Sequence, residues 1–198
     1  MSRDAKAYIG TYLGKKFWPL DPTEDEIDIN VIAHALSQIC RFNGNTTQFF
    51  SVAQHSLLVQ QYLNILGYNT KVQLLGLLHD ATEAYINDIA RPIKSKLIGY
   101  SDIELNIEKC VYNKYGIRIT SRTYSGELKE ADNTALLIEA LALMGAAINW
   151  ENWDGLNQKI ADSKIIGLFN NLLSLSMKET EKEFLNTFYA LMNTNANN

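Results

Sequence analysis

From Asp28 to near its end, the chain repeats apolar residues three, four and seven positions apart. That is the spacing of one face of an α-helix, and it excludes the strict alternation that a half-buried strand requires. Asp28 or Asn30 can cap a first helix running through Val31, Ile32, Leu36 and Ile39. Asn43-Gly44-Asn45 marks a loop within Phe42 to Gln48. A second helix covers Ser51 to Leu66 and stops at Gly67, a natural C-cap. A third spans roughly Thr70 to Ile86, and Pro92 requires a helix end by about Arg91. Further helices fall around Ser101 to Tyr115, Ser125 to Ala147, Asn157 to Leu175 and Glu179 to Asn193, and residues 194–198 read as a frayed, flexible tail. Before Asp28 the pattern changes. Tyr8 to Tyr12 and Phe17-Trp18 flank Leu13-Gly14-Lys15-Lys16, which predicts a short β-hairpin, and Asp21-Pro22-Thr23 marks a turn. The expectation is an all-α bundle in a single domain over residues 1–198, with residues 1–28 forming the hairpin and turn.

Composition narrows the function. With 46% hydrophobic and 20% charged residues over 198 positions, the chain has enough apolar material for one well-covered core, which argues against disorder. A formal net charge of -4 gives no footprint for nucleic acid, although a few placed cations can still hold a small anionic ligand. Met1 to Gly10 lacks the apolar core of a signal peptide. The most apolar stretch, Thr134 to Ile148, is interrupted by Glu139 and is too short to span a bilayer, so no membrane association is expected. Cys40 and Cys110 form no CxxC pair and read as buried thiols of a reducing cytoplasm.

Three histidines occur in the whole chain. His55 lines up with Val52, Leu58, Val59 and Tyr62, and His79 with Val72, Leu75, Glu83 and Ile86, so both face the core of neighbouring helices. Buried polar groups are costly unless partnered. Asp80 follows His79 about 100° round the helix, and Asp132 precedes the apolar run Ala135-Leu136-Leu137-Ile138. Two imidazoles and two carboxylates suit Zn²⁺, Mn²⁺, Fe²⁺ or Co²⁺. Taken singly, each histidine also fits a hydrogen-bonded core residue. An adjacent His-Asp inside an apolar helix is less easily explained that way, because Asp is a poor interior helix residue.

The ordered set His55, His79-Asp80 and Asp132 resembles the HD-domain phosphohydrolase superfamily. The segment HDATEAYINDIARPIK from His79 to Lys94 is similar to the subgroup of bacterial 5'-deoxynucleotidases and phage deoxynucleoside triphosphohydrolases. IAHALSQICRFNG, FFSVAQHSLLV and the KEADN around Asp132 match the same subgroup, so the likeness runs from about Tyr8 to Met144. It implies an HD-domain helical bundle in which His55, His79, Asp80 and Asp132 hold a divalent metal that activates water against phosphorus. Mg²⁺ is compatible with the substrate phosphates.

The resemblance also implies that Asp88 handles proton transfer and that Glu83 orients water or assists Asp88. Glu83 shares the helix face of His79 one turn on. Asp88 lies five residues further, about 140° off that face, so it can serve only if the helix ends near Ile86-Asn87 and turns it back. Arg41, Lys94 and Lys129 occupy positions matching phosphate-binding cations, with Arg91 a further candidate. Phe42 stands where an aromatic packs on the base, and Pro92 at a pocket wall. The leading expectation is hydrolysis of a deoxynucleoside triphosphate, dATP being the candidate, to nucleoside and triphosphate. The alternative is a 5'-deoxynucleotidase acting on monophosphates. A catalytically silent scaffold that binds nucleotide, and a di-iron oxygenase using His34, rank lower. His34 reads as structural, bonded within the N-terminal layer. Trp150 and Trp153 read as a packed corner, and Lys178 to Glu183 as a solvated helix face. The resemblance further implies a homo-oligomer and a cytoplasmic location, the host's if the chain is phage-encoded.

Overall fold

A computed structural model describes residues 7–117, 122–144 and 163–196, and these are mostly helical. The N-terminal hairpin pairs β1 (Ile9–Gly10) with β2 (Lys16–Phe17) in antiparallel register, Ile9 opposite Phe17. Gly14 takes φ +73° in its turn, a conformation that glycine adopts without steric cost. Phe17 is fully buried and stacks on Tyr85, which helps to fasten the hairpin to the bundle.

Of the two candidate caps for the first helix, Asp28 is the one used. Its carboxylate accepts the backbone N–H of Asn30 at 3.0 Å and opens α1 (Ile29–Gln38). Arg41 to Gly44 then make a tight 3₁₀ turn, in which Phe42 and Asn43 both have positive φ. The Arg41 N–H returns to the carbonyl of Phe50 at 2.8 Å, fixing this turn beside the start of α2 (Val52–Ile65). A capping box begins α2: Ser51 Oγ accepts from the Gln54 N–H, and Gln54 Oε1 accepts from the Ser51 N–H. At the other end Gly67, at φ +80°, terminates the helix as expected.

α2 is buried on nearly every face, because α3 (Thr70–Leu78), α7 (Arg122–Leu143) and α8 (Ser163–Leu173) all pack against it. The stripe containing His55 is therefore one of several inward faces. Gly76 allows the close approach of α2 and α3, since a Cβ there would lie 2.5 Å from Leu63 Cδ1. α6 (Tyr100–Lys114) lies along the 3₁₀ turn at Glu24–Glu26, and α9 (Met177–Ala196) packs on α1 and α3.

Several sequence expectations change. The helix predicted over Thr70 to Ile86 breaks into α3 and α4 (Glu83–Ile86), because Ala81, Glu83 and Ala84 donate to carbonyls three residues back instead of four. The helix has ended before Arg91 as expected, and Pro92 sits in the first turn of a new short helix, α5 (Arg91–Lys94). α9 runs to Ala196 and into the segment expected to fray: Thr194 Oγ1 donates to the Ala190 carbonyl, and Thr70 Oγ1 donates to Asn195 Oδ1. Cys40 and Cys110 are half-buried rather than buried. Within Lys178 to Glu183, Thr180 is fully buried and Glu181 pairs with His34, so that face is only partly solvated. Trp150 and Trp153, the expected helix end at Ala147 and the helix start at Asn157 lie outside the described residues. No described helix is long and apolar enough to cross a membrane.

Candidate metal centre

His55 lies one turn into α2 and is fully buried. His79 and Asp80 sit where α3 gives way to tight turns, and Asp132 lies midway along α7. Their donor atoms converge. His55 Nε2 is 3.3 Å from His79 Nε2, 3.1 Å from Asp132 Oδ1 and 3.7 Å from Asp80 Oδ2. His79 Nε2 is 3.2 Å from Asp80 Oδ2 and 3.9 Å from Asp132 Oδ1. Donors about 2.1 Å from a common centre stand roughly 3.0 to 3.4 Å apart at angles of about 90° to 109°. The observed spacings approach that range, and the N/O donor set fits a divalent cation. His55, His79 and Asp80 alone form a group that could hold one.

The outer ring nitrogens support this reading. His79 Nδ1 donates to the Gly76 carbonyl at 2.8 Å, and His55 Nδ1 donates to Glu139 Oε1 at 2.5 Å. With Nδ1 carrying the proton in both rings, both Nε2 lone pairs are left for a common ligand.

The charges are strongly coupled. Burial lowers the pKa of His79, but the carboxylates of Asp80 and Asp132 outweigh it and lift the imidazole to about 9. Burial and Arg41 likewise act to lower His55, and Glu139 and Asp132 raise it on balance. Asp80 would be raised by burial, yet His79, His55 and Arg41 hold it well below the usual carboxylate range. Asp132 is held low against burial by His55 and His79. Both carboxylates are thus held in their ionised form beside the two imidazoles.

A cavity of about 900 Å³ opens over Asp80 and Asp132, within the size range of ligand pockets. Glu83 and Asp88 both line it. Glu83 is buried, its Oε2 has no hydrogen-bond partner among the described residues, and burial beside the Asp80 and Asp88 charges pushes its pKa to about 9. Burial also raises Asp88, reinforced by Asp80 and opposed by Arg41.

Asp88 reaches the cavity because α4 stops at Ile86 and Asn87 turns the chain at φ 67°, ψ 161°. This is the helix end that a position for Asp88 beside the cluster requires. Such backbone angles are unfavourable for side chains branched at Cβ and cost roughly 1–3 kcal/mol. Asn87→Val is therefore expected to lose stability of that order in urea unfolding, while Asn87→Gly keeps or gains stability. Equal stability of the Val variant would refute strain at this turn.

Arg41, Phe42, Arg91, Pro92 and Lys94 line the same cavity. The Arg41 guanidinium lies 5.6 Å from the Phe42 ring centroid, and its Nε donates to Glu139 Oε2 at 3.1 Å. Lys94 is ion-paired with Glu104. Lys129, in contrast, is exposed and is not among the lining residues; three residues of α7 are about 300° of rotation, which turns it about 60° away from Asp132. His34 belongs to a different place, stacked on Tyr12 at 3.9 Å and bonded to Glu181 of α9 at 3.0 Å.

Sequence reasoning missed Glu139. The residue registers in the sequence only as an interruption of an apolar run, yet it is fully buried and binds both His55 and Arg41. The available signal was its position seven residues after Asp132, two turns along the same face, in a helix too apolar to hide an unpartnered charge.

No family model matches the chain. It is 40% identical over 111 residues to the uncharacterized protein YfdR of Escherichia coli, a match covering 56% of this chain and 60% of that protein, less than two thirds of its length. It is 33% identical over 138 residues to the uncharacterized protein RCAP_rcc00048 of Rhodobacter capsulatus, covering 67% of this chain and 70% of the relative.

Proposed function

We propose that this chain, which belongs to the same family as the Rhodobacter capsulatus protein RCAP_rcc00048, is a metal-dependent phosphohydrolase of deoxynucleotides. The observation that carries the reading is the convergence of His55, His79, Asp80 and Asp132, the two carboxylates lining a cavity that is also lined by three cationic side chains and one aromatic ring. A divalent metal held there supplies a lowered water pKa and compensation for charge on phosphoryl oxygens; Zn²⁺, Co²⁺, Mn²⁺ and Fe²⁺ all suit the donors.

The chain's own residues do the rest. Arg41, Arg91 and Lys94 neutralise phosphate charge, Arg41 with the groups of its fork left free by Glu139. Phe42 offers a π face to the base and Pro92 a rigid wall. Asp88 is placed to move a proton to or from the reacting oxygen, and Glu83 to orient the attacking water through its unpartnered carboxyl oxygen.

The preferred substrate is a deoxynucleoside triphosphate, dATP being the candidate. Water oxygen bonds to the α-phosphorus, the bond to O5' breaks, and O5' leaves with a proton as nucleoside and triphosphate separate. A second reading, hydrolysis of deoxynucleoside monophosphates, is favoured by two observations: Lys94 is already paired with Glu104, and Lys129 lies outside the cavity. Incubating metal-loaded protein with dNTPs and dNMPs, and identifying products by chromatography, separates the two. Nucleoside with tripolyphosphate is the expected result; phosphate from monophosphates alone would leave the second reading standing, and no product from either would sink both.

A further inference from the structure

Glu139 is a fully buried charge with two ionisable partners that the proposed chemistry does not use. It sits on α7 among Ala135, Ile138 and Ala140 with no exposed surface. One oxygen accepts from His55 Nδ1 at 2.5 Å and the other from Arg41 Nε at 3.1 Å. His55 faces the metal cluster through its opposite nitrogen, and Arg41 faces the cavity through the rest of its guanidinium. One carboxylate therefore spans the group that would hold a cation and the group that would hold an anion. A buried ion pair is a weak source of stability and is often matched by apolar residues of the same size, so stability alone is a poor reason for placing a glutamate here.

We propose that Glu139 is a shared positioning residue, orienting His55 toward the metal and Arg41 toward the substrate phosphate through a single carboxylate. The inference rests on the metal-centre reading above, and it adds a role in anion recognition that the four ligands do not carry. A carboxylate accepts on both sides, which is the whole requirement. In Glu139→Gln the amide oxygen can accept from only one neighbour, and the NH₂ meets either the Arg41 N–H or the His55 N–H, donor against donor. The substitution is nearly isosteric, so it removes the bridging function and little packing.

The test compares wild type, E139Q and R41K without turnover. Co²⁺ binding is followed by visible absorption and calorimetry, and binding of inorganic tripolyphosphate to the Co²⁺-loaded protein by calorimetry. E139Q is expected to weaken Co²⁺ binding about 10- to 100-fold, the usual loss when a ligand histidine's outer partner is removed, and to weaken tripolyphosphate binding as well. R41K, which loses the planar fork but leaves His55 its carboxylate, is expected to weaken tripolyphosphate on the order of tenfold with Co²⁺ affinity within about threefold.

Thermal melting separates positioning from simple support. If Glu139 only supports the fold, E139Q lowers the Tm of metal-free and Co²⁺-loaded protein equally. If it positions His55, the Co²⁺-induced rise in Tm shrinks. Should E139Q fail to fold, Glu139→Asp keeps the charge but is too short to reach both partners, and the same loss of Co²⁺ affinity is expected of it. Wild-type affinities for both probes in a folded variant overturn the proposal, as does a loss confined to one probe. Absence of Co²⁺ binding in wild type overturns it together with the metal reading. Co²⁺ and tripolyphosphate binding without any nucleotide hydrolysis removes the proposed function and leaves this role of Glu139 intact.

Discussion

His79→Ala is expected to strip the protein of stoichiometric metal and to reduce nucleotide hydrolysis by at least about 10³-fold. Loss of an outer hydrogen-bond partner alone costs metal sites roughly 10- to 100-fold, and loss of a ligand removes the interaction that such partners only tune. Its Nε2 lies 3.3 Å from His55 Nε2 and 3.2 Å from Asp80 Oδ2. Its removal leaves Asp80 and Asp132 facing one imidazole, a set with excess negative charge and a gap where the second nitrogen stood. Metal content after dialysis, measured by mass spectrometry, and product release from dNTPs and dNMPs give two independent readouts. Circular dichroism and melting temperature check that the variant remains folded. Retained metal with unchanged turnover would remove His79 from the metal assignment; lost metal with unchanged turnover would remove the metal as the basis of the hydrolysis.

Phe50→Ala carries the largest expected effect on the fold. Phe50 has no exposed surface, and its ring lies 5.3 Å from that of Phe169 at a tilted angle, joining the entry of α2 to α8. Its carbonyl accepts the Arg41 N–H that closes the turn beside the cavity. Truncating a buried phenylalanine costs about 3–5 kcal/mol through lost transfer energy and the cavity left behind. Domains are stable by only about 5–15 kcal/mol, so the variant stands near the edge of folding. Urea unfolding should show that loss, and the melting temperature should fall by roughly 6–20 °C, at about 2–4 °C per kcal/mol for a chain of this length. Phe50→Leu keeps most of the volume and should recover most of the stability. A loss below about 1 kcal/mol for the alanine variant would mean that the contact with Phe169 contributes little.

Much of this architecture is legible in the residues. The helical class, the hairpin, a cap at Asp28 or Asn30, and the stop at Gly67 all follow from spacing and backbone preferences that act within a few residues. The inward direction of His55 and His79 follows from the same periodicity. The break of α3 before His79 does not, because Val72 to Leu78 continue an apolar pattern that hydrogen bonding abandons at the next turn. Asp88 was a conditional case: its use required a turn at Ile86-Asn87, and Asn87 supplies it with a positive φ that nothing in its neighbours announces.

The candidate site divides along the same line. His79 and Asp80 are adjacent, and Glu83 is one turn away, so their association is written in the chain. His55, Asp132, Arg41 and Glu139 come from three other segments, and their meeting depends on how α2, α3 and α7 pack. Lys129 illustrates the difference. A spacing of three from Asp132 puts it near the ligand's face of an ideal helix, yet it stands exposed, outside the cavity.

What the sequence determined by itself was helix, cap, turn and the inward face of two histidines, because helical period and backbone sterics are local and are satisfied within one or two turns. What only the tertiary structure decided was which donors share a centre and that a buried glutamate joins His55 to Arg41. Distances between helices are set by the packing of side chains far apart in the chain, and a one-dimensional pattern carries no measure of them.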